Sequence, residues 1–86
     1  MMLKQLILMW RKDSYKKFDK LRVFWNIEER DGSVGISELA KAVGETTTAL
    51  HRWKNYCLEN GIIKQVIQHR YGITEFGKEL LESEND

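Results

Sequence analysis

No proline occurs in the 86 residues, only one cysteine is present, and no apolar run is long enough to cross a bilayer. Each absence narrows the field. Without proline, and with many Leu, Lys and Glu residues, the composition favours a mostly helical chain. The lone Cys57 excludes an intrachain disulfide and a multi-cysteine zinc site, and it fits a reducing, cytoplasmic setting. The opening "MMLKQLILMW" is too short to span a membrane, and "RKDSYKK" follows it without a small-residue cleavage site. Neither a membrane partner nor a signal peptide is therefore expected. Low-complexity linkers and evident internal repeats are missing too.

The ingredients of catalysis are equally scarce. An enzyme needs a convergent nucleophile, an acid–base pair, a metal cluster or a loop that cradles phosphate. His51 and His69 form no ligand-spaced set. Cys57 recurs at helical spacing with Leu50 and Trp53, so its expected burial argues against a reactive thiolate. No catalytic residue, metal or cofactor is expected, and the residues point to no particular small-molecule effector.

What is present is one domain's worth of chain with an uneven charge. The formal net charge is +1, yet Met1 to Arg30 holds eight Lys or Arg against four Asp or Glu, whereas Ile73 to Asp86 holds one Lys against five acids. A basic first third suits phosphate, and the acidic "ESEND" end would be repelled by it.

Periodicity then orders the elements. Leu3, Leu6, Ile7 and Trp10 follow helical spacing, although so short a run is also compatible with a strand. In either form it needs burial, and pairing with a second copy is favoured over folding back on the same chain. From Ser14 onward Phe18, Leu21, Phe24, Trp25 and, at the margin, Glu28 mark a broad helical face, with Asp13 or Ser14 as cap and Gly32 as stop. "SVGI" allows a very short strand before Ser37, which is expected to cap a brief helix carrying Leu39, Ala40 and Val43 and ending at Gly44. A helix from Thr46 or Thr47 to Glu59 buries Leu50, Trp53 and Cys57, and Asn60-Gly61 closes it. Ile62, Ile63, Val66 and Ile67 suit a strand, Gln68 to Arg70 a hairpin tip, and Tyr71 to Ile73 the returning strand. Thr74 caps a final helix anchored by Phe76, Leu80 and Leu81. The fold class is mainly α with a small β-hairpin (α+β). Residues 1–12 form an apolar segment suited to dimerisation, 13–82 the folded domain, and 83–86 an acidic tail.

One stretch raises a sharper question. "GETTTALHRW" begins a helix with three threonines, which are poor helix formers. A threonine hydroxyl can cap a free backbone N–H, but hydroxyls gathered at a helix N-terminus also suit a phosphate or a base edge. In "ISELAKAVGETTTALHRW" a small Ala40 stands where two helices would cross, Gly44 follows in the turn, and Leu50 and Trp53 continue as core positions. "LENGII" and "YGITEFGKELL" then lead through a hairpin into the last helix. Over roughly residues 20–82 this order resembles the winged helix-turn-helix family of DNA-binding regulators, including small MarR- and ArsR-like repressors.

That resemblance implies that the helix at about 46–59 enters the major groove of double-stranded DNA, with the hairpin at about 62–73 as wing. Recognition-helix roles then fall to Thr46, Thr47, Thr48, His51, Arg52 and Asn55, opposite the apolar face. Arg52 suits bidentate contact with guanine or a phosphate clamp, and Asn55 suits adenine or plain solvation. His51 is read either as a donor to DNA or as a half-buried helix histidine. Wing contacts fall to Lys64, Gln68, His69 and Arg70, with phosphate contact favoured over deep minor-groove insertion because the wing is short. Lys16, Lys17 and Lys20 are further phosphate candidates, or simply an exposed helix face. Phe18, Phe24, Trp25 and Trp53 belong to core faces rather than to base stacking, while Tyr71 either touches DNA or braces the wing. The expected function is a homodimeric transcription regulator, for example a repressor. The alternatives are a winged-helix protein-interaction module and a nonspecific architectural DNA-binding protein.

Overall fold

The computed structural model describes residues 15–83, with side chains from Phe18 onward. The apolar run at 1–10, the cap at Asp13 or Ser14, the side chains of Lys16 and Lys17 and the tail at 84–86 lie outside the described residues. The order of elements is α1 (Tyr15–Asp31), α2 (Ile36–Val43), α3 (Thr47–Glu59), β1 (Ile63–Ile67), β2 (Arg70–Ile73) and α4 (Glu75–Ser83). This is the α+β arrangement expected from the sequence.

In α1, Phe18, Leu21, Phe24 and Ile27 recur every third residue and are all buried. Trp25 sits at the edge of that core, half-buried, with the Lys78 ammonium of α4 5.9 Å from its ring centroid. Glu28 faces inward by one further turn. Its Oε1 accepts the Ile73 backbone N–H at 2.6 Å, so a carboxylate ties α1 to β2. Gly32 stops the helix at φ +88°, and its N–H bonds to the Glu28 carbonyl at 2.7 Å. Beside it, the Arg30 guanidinium hydrogen-bonds the Asp31 carboxylate and holds it below the usual carboxylate range.

The start of α2 corrects one expectation. Ser37 does not cap it: Gly35 is the N-cap, no side chain caps the turn, and Ser37 lies exposed inside the helix. The cause is nonlocal. Val34 exchanges both backbone hydrogen bonds with Tyr71, each at 2.9 Å, which holds Val34 and Gly35 extended until the helix begins at Ile36. The far end behaves as expected, with Gly44 in the left-handed region at φ 72° and its N–H bonded to the Ala40 carbonyl.

Helix α3 begins where Thr46, in extended backbone, accepts the Ala49 N–H on its hydroxyl at 3.1 Å. Leu50, Trp53 and Cys57 are buried beneath it. Asn60 and Gly61 end it, and the Ile62 N–H returns to the Cys57 carbonyl at 2.8 Å. Strand β1 starts at Ile63 rather than Ile62, and Arg70 already belongs to β2. The hairpin tip is thus Gln68 and His69, and His69 takes positive φ (62°) where glycine is more usual. Ile63 pairs with Ile73 and Gln65 with Tyr71, while a bulge between Gln65 and Ile67 breaks the ladder. Thr74 caps α4 by accepting the Gly77 N–H at 3.0 Å, and its own hydroxyl turns to the carbonyls of Gly61 and Ile62. Leu80 and Leu81 then close the core from the α4 side.

Candidate nucleic-acid interface

Burial divides α3 into two faces. Leu50 and Cys57 are fully enclosed, and the Trp53 ring lies tilted against Phe24 with 6.0 Å between centroids. On the opposite side Thr47, Thr48, His51, Arg52 and Asn55 are all exposed. Among the described residues nothing hydrogen-bonds or ion-pairs with the side chains of Thr47, Thr48, Arg52 or Asn55. The threonine question therefore has a divided answer: Thr46 spends its acceptor on capping, and the two that follow present hydroxyls and methyls outward. His51 is not the half-buried histidine that was one of its readings; it is exposed, with Nδ1 3.3 Å from the Lys54 ammonium.

The hairpin sits beside this ridge. Lys64, Gln68 and His69 are exposed, as expected for side chains near its tip and outer face. Arg70 is different. Its Nε donates to Ser33 Oγ at 2.9 Å and its Nη2 to the Ser33 carbonyl at 2.8 Å, with Glu38 Oε1 3.7 Å away. The guanidinium thus fastens the tip end of β2 to the loop before α2, rather than standing free. Glu38 lies between Arg70 and Arg30, 3.7 Å from each. Tyr71 braces the hairpin: it is buried, paired with Val34, and covered by Lys54 at 5.5 Å from its ring centroid.

Of the lysines proposed from α1, only the Lys20 side chain is described. It is 14% exposed and pairs with Glu45 at 3.0 Å, joining α1 to the turn between α2 and α3. That pairing uses part of its charge inside the protein. Lys54 was not singled out from the sequence, yet it lines the cleft between α3 and the hairpin together with His51, Gln65, Gln68 and His69. Its spacing of three from His51 and seven from Thr47 was the available signal, since both steps keep residues on one helical stripe. Val66 and Ile67 were read as strand formers, and they are, but at 50% and 62% exposure they leave an apolar patch on the hairpin.

The crystal structure of T. acidophilum IdeR superposes on this arrangement with a TM-score of 0.72, at 11% sequence identity and over 74% of this chain. The fold is a winged helix-turn-helix. Helices α2 and α3 form the helix-turn-helix, and the β1–β2 hairpin is the wing. This chain spans 30% of the length of IdeR, and at that identity the likeness extends to the fold alone. The narrower grouping with MarR- and ArsR-like repressors does not follow from it. No protein-family model matches the chain, and no curated protein sequence does. Among the described residues no helix is long and apolar enough to cross a membrane.

Proposed function

We propose that this protein is a sequence-specific double-stranded DNA-binding regulator of transcription that lays α3 in the major groove and rests its wing on the flanking backbone. The observation that carries this reading is the exposed polar ridge of α3, with Thr47, Thr48, Arg52 and Asn55 uncommitted among the described residues above a buried Leu50–Trp53–Cys57 floor. Such a ridge can read base edges without disturbing the core that holds it. Arg52 is the first choice for base contact, because its free planar fork matches guanine O6 and N7. Thr47, Thr48, Lys64, Gln68 and His69 take the phosphate and groove-edge contacts. Lys16, Lys17 and Lys20 stand behind them as weaker phosphate partners, Lys20 already being paired with Glu45. Working in the cytoplasm, as the single Cys57 suggests, two copies joined through the apolar residues 1–10 would read two half-sites and block polymerase. Sedimentation as a monomer at high concentration would remove the dimer from this proposal.

The direct test is selection of bound sequences from random duplex DNA, repeated at several salt concentrations. Enrichment of a motif is expected, with an inverted repeat if the dimer is correct. Arg52→Ala is expected to lose about 1–3 kcal/mol on the preferred base pair and little elsewhere. Lys64→Ala is expected to weaken all duplexes alike and to lower the salt slope by about 1. An equal loss on every sequence for Arg52→Ala would reassign it to phosphate.

A second reading, docking to another protein, draws support from the exposed Val66 and Ile67 on the wing. It predicts a folded protein that enriches no duplex. Salt-sensitive binding to every duplex alike would instead mark a nonspecific architectural role.

A further inference from the structure

We propose that Lys54 is a positioning residue that holds the His51 imidazole as its Nε2–H tautomer, and that His51 in this form rejects cytosine at one base pair of the bound site. The inference rests on the reading of α3 as the helix that enters the major groove. Its geometry is local. Tyr71 is fixed first, by two 2.9 Å backbone hydrogen bonds to Val34 and by its register with Gln65. The Tyr71 ring then carries the Lys54 ammonium, whose Nζ lies 5.5 Å from the ring centroid. From that position Nζ is 3.3 Å from His51 Nδ1.

An ammonium has three N–H donors and no lone pair, so the contact forms only if Nδ1 accepts. The ring is then neutral and its proton sits on Nε2. Because His51 is exposed on the polar side of α3, that Nε2–H is the group offered outward. In the major groove a single donor finds an acceptor at purine N7, at guanine O6 or at thymine O4. Cytosine presents its N4 amino donor there, which an N–H donor cannot pair with. The wing thus contributes to base choice without touching a base: Tyr71 positions Lys54, and Lys54 sets the donor of His51.

The test uses the full chain and three variants: Lys54→Met, which keeps an apolar stem over Tyr71 but removes the ammonium, Lys54→Arg and His51→Ala. Long-range ¹⁵N–¹H correlation on the DNA-free protein reads the His51 tautomer, and the duplex selected by the unaltered protein is then changed at each base pair in turn. The expected result is Nε2–H in the unaltered protein, a shift toward Nδ1–H in Lys54→Met, and retention in Lys54→Arg. Discrimination against cytosine at one base pair should fall from roughly tenfold to under threefold in both Lys54→Met and His51→Ala. Three results would overturn the role of Lys54 while leaving α3 docking intact: Nδ1–H in the unaltered protein, unchanged preference in Lys54→Met, or an equal loss on every duplex. If the tautomer is as expected but no duplex is enriched, the DNA reading of α3 fails and this role fails with it.

Discussion

Gly77→Ala is expected to destabilise the fold by about 3 kcal/mol, even though alanine favours a helix interior by roughly 1 kcal/mol over glycine. Gly77 lies in the first turn of α4 and is buried. A Cβ built there would fall inside the contact radius of the Ile62 carbonyl oxygen and 2.6 Å from Ile73 Cγ1. Neither neighbour is free to yield. The Ile62 carbonyl accepts the Thr74 N–H at 3.0 Å and faces the Thr74 hydroxyl, and Ile73 is buried in the hairpin core. Making room would therefore loosen the α3 exit, the wing base and the α4 cap together. In a chain of this size the melting temperature should drop by about 10–20 °C. Gly44→Ala is the control. Its left-handed backbone imposes strain of about 1–2 kcal/mol, but a Cβ there meets nothing within 4 Å. Chemical denaturation of both variants decides the matter: a Gly77→Ala protein as stable as the unaltered one would mean that α4 can slide away from Ile62 at little cost.

The steric role of Gly77 shows where sequence reasoning stops. Elements whose signal is local were legible: the recurrence of Phe18, Leu21 and Phe24, which the fold extends to Ile27, the Leu50–Trp53–Cys57 floor, and the glycine stops at 32, 44 and 61. The single Val34 bridge was legible as a short strand, because β-propensity and flanking glycines sit within a few residues of it. Its consequence was not. Pairing with Tyr71 moves the start of α2 and takes the cap from Ser37, and no local pattern encodes a partner so far along the chain. Arg70 is a similar case: as a basic residue near a hairpin tip it reads as a DNA contact, yet Ser33 and Glu38 engage it through tertiary structure. Lys54 escaped notice for the opposite reason. It lies next to Leu50 on the helical wheel, at the flank of the buried face, and only the folded wing puts an aromatic ring beneath it. The outward face of α3 was readable from periodicity, whereas which of its side chains already hold partners required the fold.

Trp53 separates the floor of that ridge from its reading surface. Trp53→Ala is expected to cost about 4 kcal/mol, within the range for emptying a large aromatic site. The ring is 5% exposed and packs against Phe24, so no solvent can refill the space without wetting the core. Such a loss is a large share of the roughly 5–15 kcal/mol that holds a domain together, and α3 would lose its seat along with its stability. Trp53→Phe should behave very differently. The indole Nε1 is buried and, among the described residues, has no hydrogen-bond partner, so the native ring carries an unmet desolvation cost of about 1–3 kcal/mol. Phenylalanine loses volume but also removes that orphan donor, and the two effects should nearly cancel, leaving a change within about 1 kcal/mol. Denaturant titration of the two variants beside Arg52→Ala then resolves three roles on one helix. Trp53→Ala should lose stability and DNA binding together, Trp53→Phe should keep both, and Arg52→Ala should keep stability while losing preference at one base pair. If Trp53→Phe proves as costly as Trp53→Ala, the indole N–H has a partner after all, a buried water being the simplest.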